Sequence, residues 1–151
     1  MSQDTPPPRD TRHALPMALL RAREAVMTRF RPMLAAHDIN EQQWRVIRVL
    51  GDVEALDATE VAVRANILAP SLTRMIKAMT ERGLIQRSRD ASDGRRVMLS
   101  IAPEGRALLG LVAPDSTAIY RQLEADYGPT RMAQLVEMLV ALADLDQPKA
   151  D

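Results

Sequence analysis

Cysteine is missing from the 151-residue sequence, and histidine occurs only twice. Without cysteine the chain has no disulfide bond, no thiolate metal ligand and no thiol with which to sense oxidants. His13 and His37 have no partner at the spacing of metal ligands, which argues against a zinc site. We therefore predict neither a metal nor a cofactor.

Long apolar runs are also missing, and no segment could span a bilayer. The first residues include three consecutive prolines where a signal peptide would have an apolar core. Paired carboxylates, a nucleophile with a nearby base and a glycine-rich phosphate loop are likewise absent, so we expect no catalytic residue and no enzyme activity. These absences predict a soluble, cytoplasmic, single-domain protein that is not an enzyme.

The formal net charge is zero, but the charges are unevenly distributed along the chain. Residues 64–96 contain eight basic and three acidic side chains, a net of +5, so the remaining residues have a net charge of −5. A concentrated positive region on a neutral chain is typical of a protein that binds the phosphate backbone of nucleic acid. For a charge cluster alone, a solvated surface without a partner is the simpler interpretation.

Residues 70–83 have the pattern of an amphipathic helix. Pro70 suits a first helical position because its φ is fixed, and Gly83 suits a left-handed residue just past the end. Apolar side chains at helical spacing predict a buried stripe, which consists of Leu72, Met75, Ile76 and Met79. The outward face is short, polar and basic, and it consists of Ser71, Thr73, Arg74, Lys77 and Ala78.

A short helix and a hairpin flank this helix in the sequence. Asp57 and Glu60 form a predicted capping box for a helix that ends near Ala65. Residues 84–89 and 95–101 are predicted strands, joined by a tip at 90–94. Two helices with a tight connection, followed by a hairpin, predict a mainly α (α+β) fold with a winged helix-turn-helix over residues 37–102.

On the N-terminal side, residues 1–11 are an expected disordered arm because of their prolines. A long helix should run from about residue 12 to 36, with Pro32 ending or kinking it. Asn40 should then cap a helix with Gln43 in the capping-box position. The inward face of that helix should consist of Trp44, Ile47 and Leu50.

On the C-terminal side, Pro103 should open a helix that Pro114 kinks or splits in two. Thr130 should cap a last helix that ends near Asp146, and residues 147–151 form a tail. This last helix has a continuous apolar stripe, which consists of Met132, Leu135, Val136, Leu139 and Leu142. The stripe packs either on its own domain or on a partner.

Several strings resemble the MarR family of bacterial transcriptional regulators over roughly residues 13–146. They are the Arg82-Gly83-Leu84-Ile85 step, the Asp93-Gly94-Arg95-Arg96 wing and the Pro103-Glu104-Gly105 helix start. Residues 15–24, 41–45 and 68–74 are further similar to the branch that represses homoprotocatechuate (4-hydroxyphenylacetate) operons. The resemblance implies a homodimeric repressor of aromatic catabolism, with residues 12–36 and 103–146 as its helical dimerisation region.

The same resemblance implies that double-stranded operator DNA is the partner, with the helix in the major groove and the wing at the minor groove. Arg95 would be the wing-tip arginine, and Asp93 would hold it in place. The residues predicted to bind DNA are Ser71, Thr73, Arg74, Lys77, Arg87, Asp93, Arg95 and Arg96. The alternative function is a winged-helix module that binds an acidic protein surface instead of DNA.

In this family the effector pocket lies between the dimerising helices and the winged domain, where Arg21, Arg23 and Trp44 would be found. The arginines could pair with the carboxylate of a small aromatic acid or with the phosphates of its coenzyme A thioester, while the indole packs on the ring. Alternatively, Trp44 belongs to the core and both arginines are solvated or paired with acids such as Glu24.

Overall fold

The computed structural model describes residues 10–146, so residues 1–9 of the predicted arm and the predicted tail lie outside the described residues. The chain forms two compact units, Met1–Ala113 and Pro114–Asp151. The helices are α1 (Leu15–Ala36), α2 (Glu41–Gly51), α3 (Ala58–Ala65), α4 (Ala69–Glu81), α5 (Pro103–Tyr127) and α6 (Pro129–Ala143). The strands are β1 (Leu56–Asp57), β2 (Ile85–Arg89) and β3 (Val97–Ile101).

The N-terminal helix begins slightly later than its sequence pattern predicts. Asp10 accepts a hydrogen bond from the Arg12 backbone N–H at 3.2 Å and caps a single 3-10 turn, Thr11–His13. α1 itself starts at Leu15, because Pro16 occupies its first turn, where a missing N–H costs nothing. Residue 11 therefore belongs to an ordered turn and not to the arm.

Two prolines lie inside helices without ending them, which excludes the predicted end at Pro32 and the predicted split at Pro114, while a kink at either proline stays a prediction. α1 continues past Pro32 to its end, and the prediction that Pro114 splits the next long helix is wrong, since α5 is one helix. A proline removes one intrahelical hydrogen bond. Around Pro32 the buried side chains of Phe30, Met33 and Leu34 anchor the adjoining turns, so the helical course is retained.

α2 begins with the predicted capping box. The Asn40 side chain accepts from the Gln43 backbone N–H at 2.9 Å, and the Gln43 side chain accepts from the Asn40 N–H at 3.1 Å. Ile47 and Leu50 are fully buried as expected, whereas Trp44 is only half-buried. Trp44 therefore lies at the edge of the core.

α3 and α4 form the helix-turn-helix. Asp57 caps α3 by accepting from the Thr59 N–H at 2.8 Å, but Glu60 pairs with Arg64 at 3.0 Å instead of completing the predicted capping box. The i,i+4 spacing of Glu60 and Arg64 makes this ion pair possible on the helix surface. Asn66, with a φ of 52°, ends α3 in the left-handed conformation.

α4 buries the apolar side that its sequence predicts. Leu72, Ile76 and Met79 are buried and Met75 is half-buried. The helix ends where Gly83 adopts a φ of +72°, which confirms the expected left-handed residue. The opposite side of α4 is left open to solvent.

The three strands form an antiparallel sheet in the order β1-β3-β2. Leu99 of the central strand β3 is fully buried and lies opposite Leu56 of β1 and Arg87 of β2. β2 and β3 are the predicted hairpin, while the two-residue strand β1 was not predicted. These elements confirm the mainly α, winged helix-turn-helix fold class.

The second unit contains the later part of α5 together with α6. Gly128, with a φ of +106°, precedes α6, and Pro129 is its first residue. The prediction that Thr130 caps this helix is wrong, because the fixed φ of proline already starts the helix one residue earlier. No residue of α6 is buried within the chain.

Candidate nucleic-acid interface

The outward face of α4 presents the polar and basic side chains expected of a recognition helix. Thr73, Arg74 and Lys77 are exposed and Ser71 is half-buried. The Thr73 hydroxyl donates to the backbone carbonyl of Ala69 at 3.0 Å. Within residues 10–146, Arg74 and Lys77 make no ion pair, which leaves both charges available to a partner.

The tip of the β2–β3 hairpin is held by a compact set of hydrogen bonds. The Asp90 carboxylate accepts from the backbone N–H of Ser92 at 2.9 Å and from its hydroxyl at 2.8 Å. Arg89 donates to the Gly94 carbonyl at 2.9 Å, across the base of the tip. These bonds fix the wing, and the bonds from Ser92 lower the pKa of Asp90 below its ordinary value.

Asp93 positions Arg95 through the main chain. Its carboxylate accepts from the Arg95 backbone N–H at 3.0 Å, and its carbonyl accepts from the Arg96 N–H at 3.1 Å. In the described part of the chain the Arg95 guanidinium makes no ion pair. The predicted holding role of Asp93 therefore acts on the turn and leaves the Arg95 charge open.

Arg96, which was also predicted to bind DNA, is exposed and forms ion pairs with two acids of the same chain. Its Nε donates to Asp57 at 3.0 Å and its Nη1 lies 3.4 Å from Asp90. The hydrogen bond from Arg96 holds the pKa of Asp57 below its ordinary value, and Asp57 in turn raises the pKa of Arg96. Arg96 thus ties the wing to the first residue of the helix-turn-helix, and its contact with DNA stays a prediction.

Arg87 is exposed on β2, and Arg89, two residues further along the strand, is also exposed and points to the same side. Together with Arg95, these side chains give the hairpin the same sign of charge as the outward face of α4. The positive region that the sequence concentrates in residues 64–96 is therefore mostly solvent-exposed. Such a surface has the electrostatic properties required to bind phosphates.

Of the three predicted effector residues, Arg21 and Arg23 lie on α1 and Trp44 lies on α2. Arg21 and Arg23 stand two residues apart on α1, so they leave the helix on different faces. Arg23 donates to Glu41 of α2, whereas Arg21 is exposed and makes no ion pair within residues 10–146. Their contact with an effector stays a prediction.

Arg23 belongs to an ionic network between α1 and α2, in line with the alternative that this arginine pairs with acids such as Glu24. Glu41 accepts from both Arg23 and Arg31, and Arg31 also pairs with Glu24 at 2.7 Å. These bonds lower the pKa of Glu41, chiefly through Arg23, and the pKa of Glu24, chiefly through Arg31. Arg45 extends the network to α3, because its Nε donates at 2.8 Å to the backbone carbonyl of Ala65, which is the last residue of that helix.

One apolar residue at the interface was also missed. Leu68, immediately before α4, is 78% exposed. It occupies the N-cap position and makes no capping hydrogen bond. A leucine at the position where Ser, Thr, Asp or Asn is preferred was the available signal.

Within residues 10–146, no group of three or more His, Cys, Asp or Glu side chains could hold a metal ion. No helix of the described chain is both long and apolar enough to cross a bilayer.

Known proteins with similar sequences or structures share this architecture. The sequence pattern of the MarR family matches residues 39–97. The chain is 40% identical over 126 residues to the homoprotocatechuate degradative operon repressor of Escherichia coli, a match that covers 83% of this chain and 85% of that protein. This relative confirms the resemblance to the homoprotocatechuate branch.

Two solved structures match nearly the whole chain. NadR in complex with 4-hydroxyphenylacetate is 35% identical, has a TM-score of 0.81 and is matched over 93% of this chain and 100% of its own. CouR, a transcriptional repressor bound to a 23-mer DNA duplex, is 30% identical, has a TM-score of 0.79 and is matched over 86% of this chain and 92% of its own. With its winged helix-turn-helix, its sequence match and these relatives, the chain belongs to the MarR family of transcriptional regulators.

Proposed function

We propose that this regulator is a cytoplasmic homodimeric repressor that binds a pseudo-palindromic operator through α4 and the wing. The observation that carries the proposal is the exposed charge of Arg74, Lys77 and Arg95, which form no ion pair with any residue of 10–146 and lie on two consecutive elements of one winged helix-turn-helix. α4 would enter the major groove and the hairpin the minor groove. The structure of CouR, a transcriptional repressor bound to a 23-mer DNA duplex, supports this assignment.

Salt dependence tests the DNA assignment against the alternative of a protein-binding module. Each phosphate that a basic side chain neutralises releases condensed counterions, so affinity for duplex DNA falls steeply as salt rises. We expect fluorescence anisotropy with a random duplex to give a steep negative slope of log affinity against log salt. A protein that does not bind the duplex at low salt would not be the proposed repressor.

Exposed apolar side chains support the homodimer. On α6 they are Val136, Met138, Leu139, Val140 and Leu142. On α1 they are Leu15, Met17, Leu19, Leu20 and Val26. Apolar surface of this extent in one molecule marks an interaction site, and a second copy of the chain would cover both sets.

The proposed effector is a small aromatic carboxylate or its coenzyme A thioester. The relatives support this class, since one represses a homoprotocatechuate operon and another was solved with 4-hydroxyphenylacetate. Arg21 has an exposed guanidinium that can pair with a carboxylate, and Trp44 has part of its indole exposed. Arg23 would first have to exchange its bond to Glu41 for the effector.

Calorimetry tests the effector class directly. We expect 3,4-dihydroxyphenylacetate, 4-hydroxyphenylacetate or a hydroxycinnamoyl thioester to bind and to lower operator affinity, because an inducer must favour the conformer that binds DNA weakly. Arg21→Ala should blunt this release and leave the affinity for DNA unchanged. Absence of heat and of any change in operator affinity with all three compounds would refute the effector class and leave the DNA assignment intact.

A further inference from the structure

Leu68 has the most exposed large apolar side chain of residues 10–146, at 78%. It is also the N-cap of α4, where its side chain cannot accept a hydrogen bond from the first-turn N–H groups. A serine or aspartate there would cap the helix and would not expose an isobutyl group to water. Leu68 is therefore unfavourable for the folded protein on two separate counts, a pattern expected of a residue kept for function.

The position of Leu68 puts it at the reading end of the helix. Residues at the N-terminal end of a recognition helix are the ones that reach base edges in the major groove. Leu68, Ala69 and Pro70 form an exposed apolar tip at this end, immediately before the polar residues of the outward face. The side chains of this tip have no donor or acceptor, so they cannot read bases by hydrogen bonding.

The major groove offers such a tip one apolar feature, the 5-methyl group of thymine. The surroundings favour DNA over an apolar protein pocket, because Arg74 and Lys77 on the same helix are exposed and make no ion pair in the described residues. We propose that Leu68 reads the 5-methyl group of a thymine in each half of the operator. This inference rests on the proposed function. It names thymine as one base of the operator and Leu68 as the residue that recognises this base.

Removal of single methyl groups from the DNA tests this proposal. The duplex that wild-type protein enriches from a random pool serves as the probe, and each thymine is replaced in turn by deoxyuridine, which lacks only the 5-methyl. Burial of one methyl group corresponds to about a fourfold change in affinity. We expect one symmetry-related pair of positions at which the replacement weakens binding about fourfold singly and roughly fifteenfold together.

In Leu68→Ala, deoxyuridine at those two positions should cause no further loss of affinity. Val63→Ala is the matched control, since Val63 is 62% exposed on α3 of the same motif and should keep the full deoxyuridine effect. Leu68→Ser adds a capping hydroxyl. Its melting temperature should be equal to or above that of wild type, while its response to deoxyuridine is lost.

The contrary outcomes are distinct. If the deoxyuridine effect persists in Leu68→Ala, is absent at every thymine, or disappears in Val63→Ala instead, Leu68 is not the thymine reader although the protein still binds its operator. If the wild-type protein enriches no duplex and binds no DNA, the proposed function fails and the inference fails with it.

Discussion

Neighbouring arginines of the wing have different environments, and the difference separates two roles. Arg96 is shared between Asp57 and Asp90, two acids that come from different parts of the winged domain. Arg95 is exposed and its backbone is fixed by Asp93, so its guanidinium is free to approach a phosphate or the minor groove. We expect Arg96 to orient the wing and Arg95 to contact DNA.

Two glycines of α5 give a matched test of packing at the scale of single residues. At Gly105 an added Cβ would lie 2.1 Å from the backbone carbonyl oxygen of Leu84, whereas at Gly110 it would meet nothing within 4 Å. Gly105→Ala should therefore lower the free energy of unfolding by about 1–3 kcal/mol, as forced overpacking does. Gly110→Ala should raise it by up to about 1 kcal/mol, because alanine favours a helix.

Urea denaturation of both variants at one protein concentration measures this difference. The Gly110→Ala variant controls for the general effect of alanine on the helix. A Gly105→Ala protein as stable as Gly110→Ala would mean that α5 does not approach Leu84 as closely as the structure has it.

At the scale of elements, helix ends were predicted well where their causes are local. Asn40 with Gln43, and Gly83, needed only neighbouring residues and standard backbone preferences. β1 could not be predicted, because a two-residue strand exists only through pairing with a strand about forty residues away in sequence. The helical course through Pro32 depends on burial of its neighbours, which is likewise a tertiary effect.

In the candidate site, too, the sequence predicted the features with local causes and missed those that depend on tertiary contacts. The outward face of α4 follows from helical periodicity, so its basic residues were found from the sequence. Ion pairs that join separate elements, such as Glu41 with Arg23 and Arg96 with Asp57, have no local signature. For that reason the sequence assigned Arg23 to the effector and Arg96 to DNA without indicating that Glu41 and Asp57 would be their partners in the structure.

The ionic network between α1 and α2 predicts a specific dependence of stability on pH. The pKa of Glu41 is lowered in the folded protein by Arg23 and Arg31. A lowered folded-state pKa contributes stability above the ordinary value of 4.5, and that contribution is lost as the pH falls through the folded-state pKa. Glu41→Gln should therefore have a lower free energy of unfolding than wild type at pH 7. The gap between the two free energies should narrow as the pH is lowered to about 3.

Chemical denaturation at pH 7 and at about pH 3, at one protein concentration, measures this narrowing. Glu54→Gln is the control, since Glu54 is exposed and makes no ion pair within residues 10–146. The free energy of unfolding of Glu54→Gln should differ little from that of wild type at both pH values. If Glu41→Gln lowers the free energy of unfolding by the same amount at both pH values, the ionic network does not stabilise the fold.

At the scale of the whole molecule, the net charge is zero although residues 64–96, which contain α4 and the wing, have a net charge of +5. Residues 37–63 and 104–151 each have a net charge of −4, so they are poor surfaces for phosphate. The helices outside the winged domain instead expose apolar side chains. This division of chemistry suits a molecule that meets DNA with one region and its own copy with others.

The apolar side of α6 predicts the oligomeric state. Val136 is 51% and Leu139 is 39% exposed in the single chain. If a second copy covers them, the double variant Val136→Asp/Leu139→Asp buries two carboxylates at the interface and should yield monomer or aggregate in place of dimer. Light scattering on the purified proteins measures the mass.

Gln134→Asp, which introduces one aspartate at an exposed polar position of the same helix, should remain dimeric. A dimer of unchanged mass in the double variant would place the subunit interface elsewhere.

The most direct test of the central claim is the operator affinity of three arginine variants, each with one fewer positive charge. Arg74→Ala and Arg95→Ala remove exposed charges from α4 and the wing, and Arg121→Ala removes one from the second unit. A dimer loses each contact twice, so each of the first two variants should weaken binding at least about tenfold, while Arg121→Ala binds as wild type. If Arg74→Ala and Arg95→Ala bind the operator as tightly as wild type, α4 and the wing are not the DNA-binding elements.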